Sequence, residues 1–430
     1  TRGTAMILLL FAMLFGLMGL GFTVWMSMGL SGTLYLLWQG DVSMRIVVSR
    51  MVAGIDIETL VAIPFFIMVG ETMNQAGITR RLADFADLFV GRFRAGLAYV
   101  SIVVSVIMAG VSGSAVADAT STSAVLHPIM RKRGYHDRFA AAINASSAVV
   151  GPIIPPSIPM VFIGVISGVS IGRLFLGGIV PGLMMAVFLW VLVTVVARRR
   201  GYPTAASTFT WPRFWQLLRE SILATLAPVF VISGVVFGFV TIIEVAALSI
   251  VYVLFLGIFV YRSLDLAKLV SVFRRSAIAS SALMAVFAVV GIYQYIVATE
   301  QLGGQLSSAI TALGLGRTGF LIFTTLFFLA MGAVLDAIPV MLIFFPVLLP
   351  IAMQLGIDPT HFGVVTVLNL MIGLLTPPIG VLLFVQTKIA GIDFGELLGE
   401  LWPHILALLA VLMIITFFPQ LVLWIPNLVL

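Results

Sequence analysis

The sequence predicts an all-α polytopic membrane protein built as an inverted-topology repeat, with two re-entrant helical hairpins and two broken helices. Three observations carry this expectation: composition, a constant shift between matching prolines and glycines, and unequal basic charge around two apolar stretches. Hydrophobic residues fill 61% of the 430 positions and charged residues 9%, whereas soluble domains carry about 45–50% and about 25%. A bilayer core about 30 Å thick needs roughly 20 apolar residues per helix. Runs of that length recur from Ala5 onward, at about 5–38, 59–76, 97–127, 139–168, 174–197, 222–260, 276–298, 318–351, 362–390 and 403–424. The first, Ala5–Trp38, is too long for a signal-peptide core and reads as one long helix or two short ones. The run 222–260 is long enough for two.

The net charge of +6 does not point to nucleic acid, because the basic residues sit in short clusters between apolar segments and so mark topology. The absence of cysteine removes disulfides and thiolate metal sites. Of the four histidines, His127 and His361 fall at segment ends, where solvated or capping roles are expected rather than metal binding. The abundant Met and Phe read as packing and lipid-facing surface.

Basic clusters mark the cytoplasmic side. Arg80, Arg81, Arg92 and Arg94 precede the stretch 97–127, and Arg131, Lys132, Arg133 and Arg138 follow it. A single crossing would place them on opposite faces, so 97–127 is expected to enter and leave from the cytoplasm. Irregular backbone at the tip of such a hairpin is tolerated only where protein or a wet cavity surrounds it. Its middle, Ala109–Ser114, is small and polar as a tip should be. From Arg138 the chain crosses out through 139–168 and returns through 174–197 to Arg198–Arg200.

A shift of 222 residues carries Pro128 to Pro350, Gly110 to Gly332, Gly134 to Gly356, Pro155-Pro156 to Pro377-Pro378 and Pro181 to Pro403. The flanks of the second hairpin, 318–351, hold only Arg317, so that hairpin is expected to open to the outer face. The division that follows is 1–58, N-terminal helices; 59–200, first repeat; 201–275, linking helices including the Arg262–Arg275 cluster; and 276–430, second repeat. Sites in inverted repeats form near the midplane where the halves meet.

The strongest local signal is Asn144–Ser157, whose Pro152, Pro155 and Pro156 lack N–H groups and should unwind the helix, freeing the carbonyls of Gly151 and Ile154 for a hard cation. Asn369–Gly380 repeats the break, with Gly373, Thr376 and Pro378 in the matching places. Each break should face the preceding hairpin tip: Ser112 and Ser114 in the first half, Gly332 and Asp336 in the second. Carbonyls, hydroxyls and one carboxylate suit Na⁺, and the positive ends of half-helices suit an anion. Asp118, with Thr120–Ser123 beside it, and Asp336 are acidic groups at membrane depth, costly and so candidates for the ion or substrate path. Asn144, Ser157, Asn369 and Pro377 join them. Glu71 and Glu244 are weaker candidates near segment ends.

At Gly110–Asp118, Asn144–Ser157 and Asn369–Gly380 the chain resembles the large membrane subunit of tripartite ATP-independent periplasmic (TRAP) transporters, the DctM-like or SiaM-like subunit. The resemblance implies an ion-transporter-superfamily fold of elevator type, and Na⁺-driven import of an organic acid, a C4-dicarboxylate or sialic acid, across a bacterial inner membrane. It also implies a small four-helix membrane subunit, separate or fused, and a soluble periplasmic binding protein, with Na⁺ as coupling ion and no other cofactor. Carried over by position, the first Na⁺ site would use Ser112, Ser114, Gly151, Ile154 and Pro156, and the second Gly332, Gly373, Thr376 and Ile379. Segments 97–168 and 318–390 would move. Segments 59–76, 174–197, 222–260, 276–298 and 403–424 would supply scaffold or arms.

Three rivals are weaker. A stand-alone Na⁺/dicarboxylate symporter or antiporter of the same superfamily would lack the partners. An intramembrane aspartyl enzyme would need Asp118 and Asp336 together, yet they belong to hairpins entering from opposite faces. A channel would not need paired inverted hairpins with broken helices.

Overall fold

A computed structural model of the chain describes residues 2–40, 43–202, 204 and 210–430, excluding the side chains of 2–5, 7, 8, 111, 112 and 311. The described residues form helices α1 (Arg2–Gly19), α2 (Val24–Gln39), α3 (Met44–Ile55) and, after a 3₁₀ turn at Glu58–Val61, α4 (Ala62–Gln75). An amphipathic α5 (Ile78–Val90) leads to the first hairpin, α6 (Gly96–Ser112) and α7 (Ala115–Lys132). The first broken helix is α8 (Asp137–Ala148) and α9 (Ile158–Ser167), followed by α10 (Ile171–Arg200). Then come α11 (Trp211–Val236), α12 (Ile242–Phe255) with a π turn at Leu256–Val260, α13 (Leu266–Thr299) and α14 (Leu302–Ala312). The second hairpin is α15 (Arg317–Val334) and α16 (Ala337–Gln354), the second broken helix α17 (Pro359–Gly373) and α18 (Val381–Ala390), and the chain closes with α19 (Phe394–Phe417) and α20 (Gln420–Val429).

Among the described residues seven helices are long and apolar enough to cross a bilayer, or eight if α3 and Glu58–Gln75, bent by 61°, form one span. The runs 5–38 and 222–260 each divide into two helices. Glu244 explains the second division. It closes a capping box with Thr241 at the start of α12, its Oε2 accepting from the Thr241 N–H at 2.7 Å while Thr241 Oγ1 accepts from the Glu244 N–H at 3.3 Å. It satisfies orphan donors of the first turn.

The 222-residue shift carries α7 onto α16 residue for residue, and brings α6, α8 and α9 onto α15, α17 and α18. It also takes α2 onto α12 with its π turn, and α3 plus α4 onto the single straight α13. Packing follows the same relation. α2 lies on α13 as α12 lies on α4, and α7 touches α18 as α16 touches α9.

Two groups of helices emerge. In one, α1–α4 pack with α12 and α13; in the other, the hairpins and broken helices pack with α10, α19 and α20; α11 touches both, meeting α12 on one side and α5, α6 and α10 on the other. In the segments 174–197 and 403–424, α10 rests on α6, α9 and α17, and α19 on α8, α17 and α18. Small residues permit this, since a Cβ on Gly178 of α10 would lie 2.1 Å from the Ile153 carbonyl oxygen. Likewise α3 and α13 cross backbone to backbone, with a Cβ on Gly291 reaching 2.1 Å from Arg50 O and one on Gly54 reaching 2.4 Å from Phe287 O.

Polar groups pin α2 to α13. Ser31 donates to Ser27 O at 2.6 Å, so the Tyr293 hydroxyl, 2.7 Å from Ser31 Oγ, is the donor of that pair. Ser31→Ala is expected to cost about 1 kcal/mol, measured by thermal unfolding in detergent. A double-mutant cycle with Tyr293→Phe that shows no coupling would refute the bond's contribution.

The histidines differ from expectation. His127 is buried and faces Asp137 across 3.1 Å, and His361, also buried, holds the Ile415 carbonyl of α19 at 2.8 Å. Both tie helices together instead of facing solvent.

Candidate functional site

The first hairpin turns because Gly113 adopts φ +55°, a left-handed conformation, after which Ser114 starts α7 and its Oγ accepts from the Ala117 N–H at 3.4 Å. The break opposite it runs from Val149 to Ser157, where Ser157 caps α9 by accepting from the Met160 N–H at 3.2 Å and donates to the Pro152 carbonyl. Tip and break meet closely. A Cβ on Gly113 would sit 2.9 Å from Pro156 O, and one on Gly110 3.5 Å from Pro155 O. Two carbonyl oxygens of the break therefore lie close to the hairpin tip.

The second half joins in a related way. Ala333 O, at the end of α15, accepts from the Ile379 and Gly380 N–H groups at 3.1 and 3.3 Å. Gly332 and Gly373 touch through bare backbone, with a Cβ on Gly373 falling 2.7 Å from the Gly332 Cα and carbonyl carbon. Thr376 turns its hydroxyl back to Ile372 O at 2.9 Å. Both Pro-Pro bonds, 155–156 and 377–378, are cis.

Asp118 is buried in α7, where Thr122 Oγ1 donates to Oδ1 at 3.0 Å and Oδ2 has no hydrogen-bond partner among the described residues. That free oxygen faces the first break, lying 3.9 Å from where a Gly151 Cβ would be. Asn144 holds α8 to α6, accepting from Ser101 at 2.7 Å, with Ser147 bonded to Ser101 and Ser105 alongside. Asn369 is buried in α17 and donates to Val365 O at 2.8 Å. The Asn144 bond runs between helices, whereas that of Asn369 stays within α17. The Ser112 side chain lies outside the described residues.

A cavity of about 600 Å³ lies between the two helix groups. On one side it is walled by the first turns of four helices: α7 from Ser114, α9 from Ile158, α16 from Asp336 and α18 at Val381. The opposite wall is α4 and α13, including Glu71 and Arg275. Helix N-termini carry a positive dipole end, so the convergence of four of them favours an anion, set against the carboxylates of Glu71 and Asp336 in the same lining. Asp336 opens on the cavity whereas Asp118 is buried against the first break, so they form no aspartyl pair.

Two residues that the sequence hid act here. Arg275 reads as one of a topology-setting cluster, yet it faces the cavity and pairs with Glu71 at 3.5 Å. Gln386 of α18 exchanges hydrogen bonds with Ser123 of α7, at 2.8 and 2.9 Å, and fastens one half to the other. Only a buried amide in an apolar segment hinted at it.

Seven described helices long and apolar enough to cross a bilayer, with helix ends and backbone carbonyls gathered at an interior cavity, have the build of a multi-pass membrane permease. A family model described as the DctM component of the tripartite ATP-independent periplasmic transporter matches residues 11–421. The chain belongs to that family. It is 36% identical over 418 residues to the sialic acid TRAP transporter large permease protein SiaM of Vibrio cholerae, covering 96% of this chain and 98% of that protein. Against the C4-dicarboxylate TRAP transporter large permease protein DctM of Pseudomonas aeruginosa the identity is 35%, over 93% and 94% of the two chains. The sialic acid TRAP transporter permease protein SiaT of Haemophilus influenzae is 34% identical over 88% of this chain but only 61% of its own length. Among solved structures, the YdaH transporter of Alcanivorax borkumensis superposes with a TM-score of 0.53 over 87% of each chain at 12% identity, a likeness of fold alone.

Proposed function

We propose that this permease imports an organic acid of the C4-dicarboxylate or sialic acid type across a bacterial inner membrane, driven by Na⁺. The convergence of four helix N-termini on one cavity beside two tip-and-break junctions carries this reading. Na⁺ is held where each hairpin tip meets its break: at Ser112, Ser114, Gly151, Ile154 and Pro156, and at Gly332, Gly373, Thr376 and Ile379. It supplies positive charge beside a carboxylate that would otherwise be costly to bring to membrane depth.

In this reading the hairpins are re-entrant and the halves inverted. The group containing α6–α10 and α15–α20 moves as an elevator past α1–α4 and α11–α13, carrying α10 and α19 with it. The cavity lies along the half of α13 nearer the Arg262–Arg275 cluster, so the structure is inward-facing by the charge rule. A small membrane subunit and a periplasmic binding protein complete the complex. SiaT, longer than this chain, has room for such a subunit in the same polypeptide.

The test is uptake of labelled N-acetylneuraminate or succinate into liposomes holding the chain and its two partners. Collapsing the Na⁺ gradient should lower uptake at least about tenfold; indifference to Na⁺ would overturn coupling. Ser112→Leu and Thr376→Leu should each raise the Na⁺ concentration for half-maximal uptake. An unchanged Na⁺ response would remove those residues from the sites.

A further inference from the structure

We propose that Arg275, on the wall opposite the four helix ends, is a binding residue for the substrate carboxylate, and that Glu71 occupies its guanidinium when the cavity is empty. The inference rests on the organic-acid reading above. Among the described residues lining the cavity, Arg275 is the sole basic side chain. Its Nη1 lies 3.5 Å from Glu71 Oε1, longer than a good charge-assisted hydrogen bond, and the side chain is 58% exposed. Glu71 Oε1 is shared with Gln75, whose Nε2 donates to it at 3.1 Å.

A guanidinium has five N–H donors in a planar fork that fits a carboxylate, and this pairing with Glu71 leaves most of them free. A solvated ion pair of this kind is worth little, so an incoming carboxylate displaces or joins Glu71 at small cost. The two walls are then complementary. The helix ends on α7, α9 and α18 offer partial positive charge, that of α16 carries the Asp336 carboxylate, and Arg275 offers the one full positive charge of the lining from α13. Arg275 stands on α13, outside the tip-and-break residues of both junctions, although α13 also meets α16 of the second hairpin and its Phe287 lies against Phe162 of α9, ring centroids 4.9 Å apart. Arg275 accordingly governs affinity for the acid without governing affinity for Na⁺.

The chain contains no cysteine, which permits a charge-replacement test in the assembled complex in liposomes. The probe is radiolabelled N-acetylneuraminate or succinate, whichever the wild-type complex imports faster. Arg275→Cys should raise the KM for the acid at least tenfold, with kcat changed about twofold or less and the half-saturating Na⁺ concentration unchanged. An aminoethyl methanethiosulfonate, which restores positive charge at that position, should recover most of the affinity. The sulfonatoethyl reagent, which installs negative charge, should not. Arg275→Lys provides a second variant, with a KM between wild type and Arg275→Cys because charge stays and the fork is lost.

A wild-type KM in Arg275→Cys, or equal recovery with both reagents, would overturn the assignment. Wild-type uptake that ignores the Na⁺ gradient would instead overturn coupling and leave the Arg275 measurements to stand by themselves. Import of neither acid would remove the organic-acid reading and this inference with it.

Discussion

Gly373→Ala is expected to lower uptake roughly a hundredfold, equivalent to about 2.7 kcal/mol. The added methyl would lie 2.7 Å from the Gly332 Cα and carbonyl carbon and 3.2 Å from the Ala333 nitrogen. These are backbone atoms, which cannot rotate aside as a side chain can. Relief requires moving the end of α15, and Ala333 O is the acceptor that holds Ile379 and Gly380 of the break. Overpacking of a closely fitted interior costs about 1–3 kcal/mol, and here the strain falls on the junction itself. Gly303→Ala is the control, since nothing lies within 4 Å of its added Cβ. Uptake by Gly373→Ala within twofold of wild type, at equal membrane abundance, would show that the close approach is dispensable.

The glycines and prolines that make these junctions are what made them legible. Pro155-Pro156 and Pro377-Pro378 forbid continuous helix, so the breaks stand out in any apolar run, and the constant shift to the second pair exposes the repeat. The hairpin tip at Gly113 is readable for the same reason. α3 was not, because Arg45, Arg50 and the following Asp56 and Glu58 interrupt the apolar signal. It became half of a bent element whose counterpart, α13, is straight. α5 escaped for a different cause. Its Arg80, Arg81, Asp84 and Asp87 lie on one face while Ile78, Leu82, Ala83 and Ala86 are buried on the other, an amphipathic pattern that span-finding by hydropathy overlooks.

Charge was the least reliable guide. The same rule that oriented the hairpins absorbed Arg275 into a cytoplasmic cluster, although its neighbours in space are Glu71 and the cavity. A charge count records which side of the bilayer a residue occupies, and nothing about which helix face carries it. Likewise the continuous apolar pattern of α10 and α19 does not show which helices they pack on. Their glycines and buried faces, not their hydropathy, place them against the broken helices.

Glu400 shows how those helices are bound together at one end, and Glu400→Ala is expected to destabilise the protein by about 2 kcal/mol. The carboxylate is buried in α19 and receives a fork from Arg200 at the end of α10, Nη1 to Oε1 at 2.6 Å and Nη2 to Oε2 at 3.1 Å. Arg138, at the start of α8, adds its Nε at 3.6 Å from Oε2. One residue of α19 thus joins the end of α10 to the start of the first broken helix. Breaking a fully buried pair costs about 3–5 kcal/mol, but Arg200 and Arg138 are 35% and 53% exposed, so water can solvate the cations left behind and the loss is smaller. Thermal or denaturant unfolding in detergent measures it. Arg200→Ala in the Glu400→Ala background should cost little further, because the partner has already gone. Additive losses from the two substitutions would mean that Glu400 and Arg200 stabilise the helices independently and that the fork between them contributes nothing.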